Sequence, residues 1–291
     1  MNHKKTYKNK FLDTQPPLYG RFAPSPTGPL HLGSLVTALA SYIDVKASQG
    51  VWWLRIDDLD PYRTKKGAIS LIQQQLTDHG LKWDPWPEDK GGVNGILFQS
   101  KRHWWYQEAF NKLLLINRVF GCICSRKEIK KLFNEGKTFK LQTGEISYPG
   151  TCKKVNFLNY ANLLSWRFNS YDNDDFVILR KDKTWSYSFA GVIDDSSQKI
   201  THILRGDDLK PILNRNRMIQ STLGYRFPRV MHLPVVTNEN GRKLSKHVGS
   251  SSIKSGIHVE KQLKFAWQFL EKSMPTSWLE RVSSFTHSYF F

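Results

Sequence analysis

Two short motifs, far apart in the chain, carry residues suited to binding a nucleoside triphosphate. In the first, a turn stiffened by Pro24 and Pro26 leads into His31–Ser34, which opens a predicted helix. The free amides and positive dipole end of a helix N-terminus favour phosphate. His31 can donate a hydrogen bond to phosphate, and Gly33 lets an adenine ring approach the backbone. Four-residue motifs are common, so this one alone would indicate only an ordinary β–α turn.

The second motif contains Lys243 and Lys246 within GRKLSKH, on a loop rich in glycine and asparagine. Two lysines with this spacing suit a triphosphate whose negative charge grows as pyrophosphate leaves. The alternative is a solvated basic turn, which describes most such pairs. No GxxxxGK[ST] sequence occurs, which disfavours a Walker-type ATPase or kinase. In this order, the two motifs predict an ATP site of the adenylate-forming kind.

Alternating strands and helices are predicted to position these motifs. Strands are expected at Leu18–Phe22, Val51–Ile56, Phe176–Arg180, Ile200–Leu204 and Val230–Leu233. Helices are expected at Leu30–Ala47, Lys66–His79, Lys101–Asn117, Pro211–Leu223 and Val259–Lys272. The β–α–β–α order predicts an α/β fold, a Rossmann-like doubly wound parallel sheet with right-handed crossovers.

The order of the predicted strands and helices divides the chain into five parts. We expect a basic flexible leader, a first half of the catalytic domain, an inserted module, a second half, and a short helical C-terminal segment with a tail. The boundaries are 1–17, 18–118, 119–174, 175–250 and 251–291.

Composition limits the classes of partner. The 291 residues include 43 Lys and Arg against 25 Asp and Glu, a formal charge of +18, which favours a polyanion such as nucleic acid over a merely basic surface. Three cysteines indicate no disulfide framework and fit a reducing cytoplasm. No apolar run is long enough for a spanning helix, and the leader lacks the apolar stretch of a secretory signal. We expect no membrane partner and a monomer.

The paired motifs resemble the HIGH-like and KMSKS-like signatures of class I aminoacyl-tRNA synthetases. Ser34 stands in place of the final His of the first signature, and His247 in place of the final Ser of the second. The resemblance implies that His31 stabilises the α-phosphate and pyrophosphate in the adenylation transition state and that Lys246, with Lys243, holds the leaving pyrophosphate. It also implies ATP with Mg²⁺ as substrate, bound by Pro24, His31, Gly33, Ser34, Lys243 and Lys246.

The peptide Arg21–Ser25 is similar to the glutamate-binding strand end of the glutamyl branch of this family. A glutamate substrate needs two cationic groups and one anionic group, and an arginine at a strand terminus can clamp a carboxylate in bidentate fashion. The resemblance implies a glutamate site formed by Arg21, Phe22, Ala23, Pro24, Ser25, Asp57, Tyr187 and Arg205. Asp57 stands where the family has Glu. Taken singly, Arg21 could be a surface residue, Arg205 a partner of Asp57 or Asp58, and Tyr187 a core aromatic.

All three cysteines lie in two short segments, with Cys122 and Cys124 in one and Cys152 in the other. Clustered thiols of this kind suggest a four-coordinate structural Zn²⁺, and three free thiols are the alternative. The resemblance implies that Tyr148 supplies the fourth ligand. Such a site would brace the inserted module and take no part in the chemistry.

Only 44 residues (248–291) follow His247, too few for a second, anticodon-binding domain. The chain therefore looks like the glutamyl-queuosine tRNA(Asp) synthetases, truncated paralogues of glutamyl-tRNA synthetase. That resemblance implies activation of L-glutamate to glutamyl-adenylate and transfer to queuosine at the wobble position, with docking of the tRNA(Asp) anticodon stem-loop. The alternatives are a short glutamyl-tRNA synthetase that charges tRNA(Glu) and a catalytically inactive tRNA-binding paralogue.

Overall fold

The computed structural model describes residues 17–155, 164–236 and 252–290. These residues form strands β1 to β9 and helices α1 to α8. The strands are β1 Tyr19–Phe22, β2 Val51–Ile56, β3 Gly92–Val93, β4 Ile96–Phe98, β5 Val119–Cys122, β6 Ser165–Phe168, β7 Val177–Leu179, β8 His202–Gly206 and β9 Arg229–Leu233. The helices are α1 Leu32–Lys46, α2 Ala68–Asp78, α3 His103–Leu115, α4 Arg126–Asn134, α5 Tyr187–Ser197, α6 Leu213–Leu223, α7 Val259–Ser273 and α8 Thr276–Phe290. None of the described helices combines the length and apolar character that crossing a bilayer requires.

The sheet that carries the first motif is mixed. Its order is β1-β2-β4-β3, in which β1–β2 and β2–β4 pair in parallel and β3–β4 is an antiparallel hairpin. Strands β8 and β9 form a parallel pair beside β1, where the Thr201 amide donates to the Tyr19 carbonyl at 2.9 Å. The prediction of a wholly parallel sheet was therefore wrong at the edge formed by β3. The β3–β4 hairpin contains no helix, so the sequence has no helical spacing there that would indicate a strand on either side.

A separate sheet of three strands, β5-β6-β7, is antiparallel throughout. The strand expected to resume the α/β pattern after residue 174 is observed as β7, but it pairs with β6 in this sheet. One face of the sheet packs on α3, α5 and α6 through a core that includes Phe110, Phe168, Trp185 and Phe189. The sheet therefore contains strands on both sides of residue 174, where the inserted module was predicted to end.

The C-terminal residues form two helices where the sequence predicted one helix and a tail. Trp278 and Val282 of α8 are buried in the same core as Leu39 and Ile43 of α1. The Trp278 indole also donates to the buried carboxylate of Asp44 at 2.7 Å. Apolar residues at a helical spacing in α8 were the signal that the sequence reading missed. This packing holds α8, with α7, against α1, whose N-terminus bears the first motif.

The other expected elements are observed within two residues of their predicted ends. They include β1, which carries Arg21, α1, whose N-cap is His31, and β8, which carries Arg205. Helix α5 was not expected, although its first residue is Tyr187.

Candidate active site

The end of β1 and the start of α1 form one wall of an open cavity of about 500 Å³. Gly28, in the turn between them, adopts a φ of 134°, a conformation that residues with a side chain rarely adopt. Eight residues that the sequence singled out line the cavity: Phe22, Ala23, Pro24, Ser25, His31, Gly33, Ser34 and Tyr187. The first motif therefore presents its polar groups to a single recess.

His31 is the N-cap of α1. Its Nδ1 accepts a hydrogen bond from the Ser34 amide at 3.3 Å, which satisfies one of the free amides at the helix start. Ser252 forms an isolated β-bridge with His31, and the Ile253 amide donates to the Leu30 carbonyl at 3.0 Å. Val236 also lines the cavity. Of the two residues that flank positions 237–251, Val236 therefore lines the cavity and Ser252 pairs with His31 on its wall, while Lys243 and Lys246 lie outside the described residues.

Arg21 lies on β1 and is almost fully buried. Its Nε donates to Oδ1 of Asp195 at 3.0 Å, and its Nη2 donates to Oδ2 of the same carboxylate at 3.5 Å. Asp195 also accepts a bond of 2.7 Å from Nη1 of Arg55. Burial alone would raise the pKa of Asp195, but the charges of Arg21 and Arg55 hold it below its usual value. Arg21 is therefore a buried, fixed cation and not a surface residue.

Asp57 follows β2 and is paired with Arg55. Arg55 Nε donates to Oδ1 of Asp57 at 2.8 Å, and Oδ2 of Asp57 is buried without a hydrogen-bond partner among the described residues. Burial raises the pKa of Asp57 to about 6, although the charge of Arg55 acts in the opposite direction. A buried carboxylate oxygen without a partner is costly unless a ligand pairs with it. Asp57 can therefore accept an ammonium group at Oδ2.

Arg205, on β8, is a second buried cation. Its Nε donates to Nε2 of His232 at 3.2 Å, while its Nη2 is buried and has no hydrogen-bond partner in the described part of the chain. Burial lowers the pKa of Arg205. Asp57 pairs instead with Arg55, and Asp58 accepts from the Ser100 amide and hydroxyl at 2.9 and 2.7 Å. The structure thus gives no ion pair between Arg205 and either acid.

Tyr187 begins α5, whose N-cap is Ser186. Its side chain is about a third exposed, at 37%, and lines both the 500 Å³ cavity and an adjoining groove of about 710 Å³. Burial of the phenol raises the pKa of Tyr187, and the charges of Asp57, Arg21 and Arg205 also act on it. The four charged or phenolic residues of the predicted glutamate site therefore converge, and Tyr187 lies at the junction of two recesses rather than in a core.

Sequence reasoning missed a buried network behind this site. Asp194 accepts hydrogen bonds of 2.6 to 2.9 Å from three buried side chains, those of Gln99, Arg102 and Tyr106. Asp194 and Asp195 are adjacent on α5, in a stretch that is otherwise mostly apolar. An acidic pair on a buried helix face was the available signal, because buried carboxylates need cationic or donor partners.

The three cysteines come together in the inserted module. The Sγ atoms of Cys122, Cys124 and Cys152 all lie within 4.8 Å of one another. The Tyr148 phenol oxygen is 3.4 Å from Sγ of Cys122 and 3.6 Å from Sγ of Cys124, and Cys124 Sγ is 3.5 Å from Cys152 Sγ. In a tetrahedral zinc site, sulfurs are about 3.8 Å apart and a sulfur and an oxygen about 3.5 Å apart. The donor set and its spacing therefore fit a zinc ion.

Comparison with known proteins agrees with this geometry. Residues 18–157 and 158–268 match the catalytic domain of the class I tRNA synthetases (E and Q). The chain is 36% identical over 281 residues to the glutamyl-Q tRNA(Asp) synthetase of Janthinobacterium sp. (strain Marseille), covering 88% of this chain and 90% of the relative. It is 39% identical over 243 residues to that of Idiomarina loihiensis, covering 81% and 82%.

Solved structures show the same relationship. The glutamate-tRNA synthetase of Elizabethkingia anophelis superposes with a TM-score of 0.67 at 27% identity, over 80% of this chain and 53% of that one. This chain thus spans about half the length of that synthetase. A methionyl-tRNA synthetase of Mycobacterium tuberculosis shares the fold, with a TM-score of 0.57 at 11% identity over 87% of this chain and 64% of that one. The chain belongs to the glutamyl-Q tRNA(Asp) synthetase family, within the class I tRNA synthetases.

Proposed function

We propose that this chain activates L-glutamate with ATP and transfers the glutamyl group to queuosine at the wobble position of tRNA(Asp). The observation that carries the proposal is its identity of 36 to 39% with proteins named for that reaction, over more than four-fifths of their length. Three buried charges that act on Tyr187, a residue of the cavity wall, support it, because they match glutamate in number and sign. Arg21 and Arg205 are the cations, and Asp57 is the anion.

Two displacement steps account for the reaction. In the first, an oxygen of the glutamate α-carboxylate attacks the α-phosphorus of ATP, and the bond to the bridging oxygen breaks, which releases pyrophosphate. In the second, a hydroxyl of the queuosine cyclopentenediol attacks the carbonyl carbon of the mixed anhydride. AMP leaves and the hydroxyl proton passes to solvent. No nucleophile from the protein is required, so positioning and charge neutralisation supply the catalysis.

In the proposed glutamate complex, each charged group of the substrate meets a residue of opposite charge. The ammonium group binds Oδ2 of Asp57, which has no partner among the described residues. The carboxylates bind the two buried guanidinium groups, at Nη2 of Arg205 and at Nη1 of Arg21, whose other nitrogens are engaged by Asp195. Tyr187 contacts the substrate at the cavity wall, with the backbone of Phe22, Ala23, Pro24 and Ser25 beside it.

The proposed ATP-binding site lies at the start of α1. His31 contacts the α-phosphate and the leaving pyrophosphate, while Gly33 and Ser34 border the nucleotide beside Pro24. Lys243 and Lys246 hold the pyrophosphate from the segment between Val236, which lines the cavity, and Ser252, which pairs with His31. Mg²⁺ enters with ATP as part of the substrate. A helix start with a cationic loop beside it suits a triphosphate.

We also propose one structural Zn²⁺ held by Cys122, Cys124, Tyr148 and Cys152. The fit rests on the sulfur and oxygen spacing and on Arg167, whose Nε donates to Sγ of Cys122 at 3.3 Å and would stabilise a thiolate there. Zinc would join the end of β5 to the loop before β6. It supplies stability to the module and no step of the reaction.

The net charge supports an RNA partner, and the state of the cysteines supports a cytoplasmic location. The formal charge of +18 favours an RNA substrate, here the anticodon stem-loop of tRNA(Asp). Three unpaired thiols, all within 4.8 Å of one another, fit a reducing cytoplasm. We also propose that the chain acts as a monomer.

Transfer of labelled glutamate to purified RNAs tests the proposal. The assay compares queuosine-containing tRNA(Asp), tRNA(Asp) with unmodified guanosine at the wobble position, and tRNA(Glu), each with ATP. The expected result is label on the first RNA alone. Label on tRNA(Glu) would identify a short conventional synthetase. Label on none, without glutamate-dependent pyrophosphate exchange in folded protein, would leave only an inactive RNA-binding paralogue.

A further inference from the structure

A recess outside the candidate active site is lined by aromatic rings and guanidinium groups. It has a volume of about 490 Å³ and lies between the end of α3, the loop after β6 and one side of α6. The residues that matter here are Arg118, Tyr171, Asn214, Arg217 and Phe227.

Each ring in this recess is stacked against an arginine. The guanidinium carbon of Arg118 lies 3.8 Å from the ring centroid of Tyr171, and that of Arg217 lies 5.3 Å from the ring centroid of Phe227. Tyr171 is 83% exposed and Phe227 51% exposed, and neither belongs to the hydrophobic cores formed by the described residues. Each ring therefore keeps much of its surface available for another flat group, such as a nucleobase.

The charge of the recess is net positive, because the two arginines outnumber the one acid at its rim. Neither Arg118 nor Arg217 forms an ion pair with a carboxylate in the described ranges. Asp172, the acid at this rim, already accepts from the Asn214 amide at 2.8 Å and from the Asp174 backbone at 3.2 Å. Arginine beside open aromatic rings is the combination that binds single-stranded nucleic acid, since the rings stack on bases and the cations meet phosphates.

The recess also lies close to the groove that leads to the candidate active site. Arg215 lines that groove together with Tyr187, while its neighbours on α6, Asn214 and Arg217, line the recess. A helix is about 10 Å across, so roughly one helix width separates the two. An RNA loop that enters the groove can therefore place a nearby nucleotide in the recess.

We propose that this recess binds an unpaired nucleotide of the RNA substrate, with its base on Tyr171 or Phe227 and its phosphate at Arg217. The proposal rests on the proposed function for the identity of the RNA. It adds a contact surface that lies apart from the residues that bind glutamate and ATP.

The test is equilibrium binding of the fluorescently labelled tRNA(Asp) anticodon stem-loop, which needs no catalysis. Tyr171→Ala with Phe227→Ala should weaken binding by about tenfold for each ring that stacks. Arg217→Gln should reduce the slope of log K against log salt by about one. Glutamate-dependent pyrophosphate exchange should not change. The matched control is Phe265→Ala, a 38% exposed ring on α7, which should leave the Kd unaltered.

Equal affinity of the double variant and the unchanged protein for the stem-loop would overturn the proposal. The proposal would also be overturned if the double variant lost as much affinity for a blunt RNA duplex, which offers no unpaired nucleotide, as for the stem-loop. Loss of stem-loop binding in the double variant, with no glutamate transfer by the unchanged protein, would support the recess and refute the proposed function. The two failures are therefore distinguishable.

Discussion

Arg55 and Asp195 form a buried ion pair in which Nη1 donates to Oδ1 at 2.7 Å. Each of them also holds one residue of the candidate glutamate site. Arg55 binds Asp57 at 2.8 Å, and Asp195 binds Arg21 at 3.0 Å. Arg21, one of the two cations proposed to bind glutamate, and Asp57, the anion, are thus the two ends of one chain of alternating charges, so their separation is fixed before substrate arrives.

Asp195→Asn should weaken the link between Arg21 and Arg55 in this chain. It leaves Arg21 and Arg55 buried with less negative charge, and removing one partner of a buried pair costs about 3–5 kcal/mol of unfolding free energy. Glutamate KM in pyrophosphate exchange should rise, because Arg21 loses its bidentate anchor. Denaturant unfolding and exchange kinetics measure both effects. Asp89→Asn, at an exposed position, is the control, and an unaltered glutamate KM in Asp195→Asn would contradict the account.

Glutamate affinity should fall in acid because of Asp57. Its pKa is raised from 3.8 to about 6, chiefly by burial, and only the ionised form pairs with an ammonium group. The Kd from titration calorimetry should therefore rise about tenfold per pH unit below 6 and level off above it. Asp57→Asn should bind weakly at every pH between 5 and 7.5. A wild-type Kd that is flat over this range would rule out Asp57 as the ammonium partner.

The same shift has a stability consequence of opposite sign. A carboxyl whose folded-state pKa lies above its unfolded value makes its most favourable contribution below pH 3.8. That contribution is lost as pH rises through about 6, because the folded protein then holds a desolvated charge. Without glutamate, Asp57→Asn should therefore gain stability relative to the unchanged protein as pH increases from 5 to 7, as measured by denaturant unfolding.

Arg205→Leu should separate activity from stability. Nη2 of Arg205 is buried without a partner among the described residues, so replacing this cation removes a desolvation cost. We expect glutamate-dependent exchange to fall at least about a hundredfold, with an unfolding free energy that is unchanged or higher. Arg102→Leu is the comparison, because Arg102 pairs with buried Asp194 at 2.6 Å and its loss should destabilise the fold. Equal destabilisation by both variants would contradict this distinction.

Purified protein should contain one zinc per chain. Metal analysis by mass spectrometry should find zinc near one equivalent, and Cys152→Ser should lose most of it, because a thiolate ligand is removed. Tyr148→Phe should retain less zinc than the unchanged protein, since only the phenol oxygen is lost. Removal of zinc with a chelator should lower the unfolding temperature. Ser147→Ala, which changes the residue next to Tyr148, is the control and should still bind the metal. A metal-free, equally stable unchanged protein would refute the site.

Elements with a clear period were predictable from sequence, and contacts between distant residues were not. Helix α1 shows apolar residues at a helical spacing, and β2 is a continuous apolar run, so both were predicted correctly. Helix α5 lacks such a stripe because it is buried nearly all round, including Asp194 and Asp195. The β3–β4 hairpin has strands of two and three residues, too short to show alternation.

The residues of the candidate site could be predicted from the sequence, whereas the residues that hold them in place could not. Arg21, Asp57, Tyr187 and Arg205 could be named because they recur in the order of a known family. Their partners could not, since the carboxylate that anchors Arg21 comes from α5, 174 residues further along the chain. Physical reasoning from buried acids could have flagged Asp195, but only the fold shows that it bridges two arginines.

The position of the transferred glutamate on the RNA distinguishes an enzyme that modifies the anticodon from a synthetase that charges the 3′ end. Queuosine-containing tRNA(Asp) is incubated with the protein, ATP and labelled glutamate, digested to nucleosides under mild acid, and analysed by mass spectrometry. We expect the label on queuosine, as an ester of its cyclopentenediol, and none on the 3′-terminal adenosine. Label on the terminal adenosine, with queuosine unmodified, would contradict this expectation.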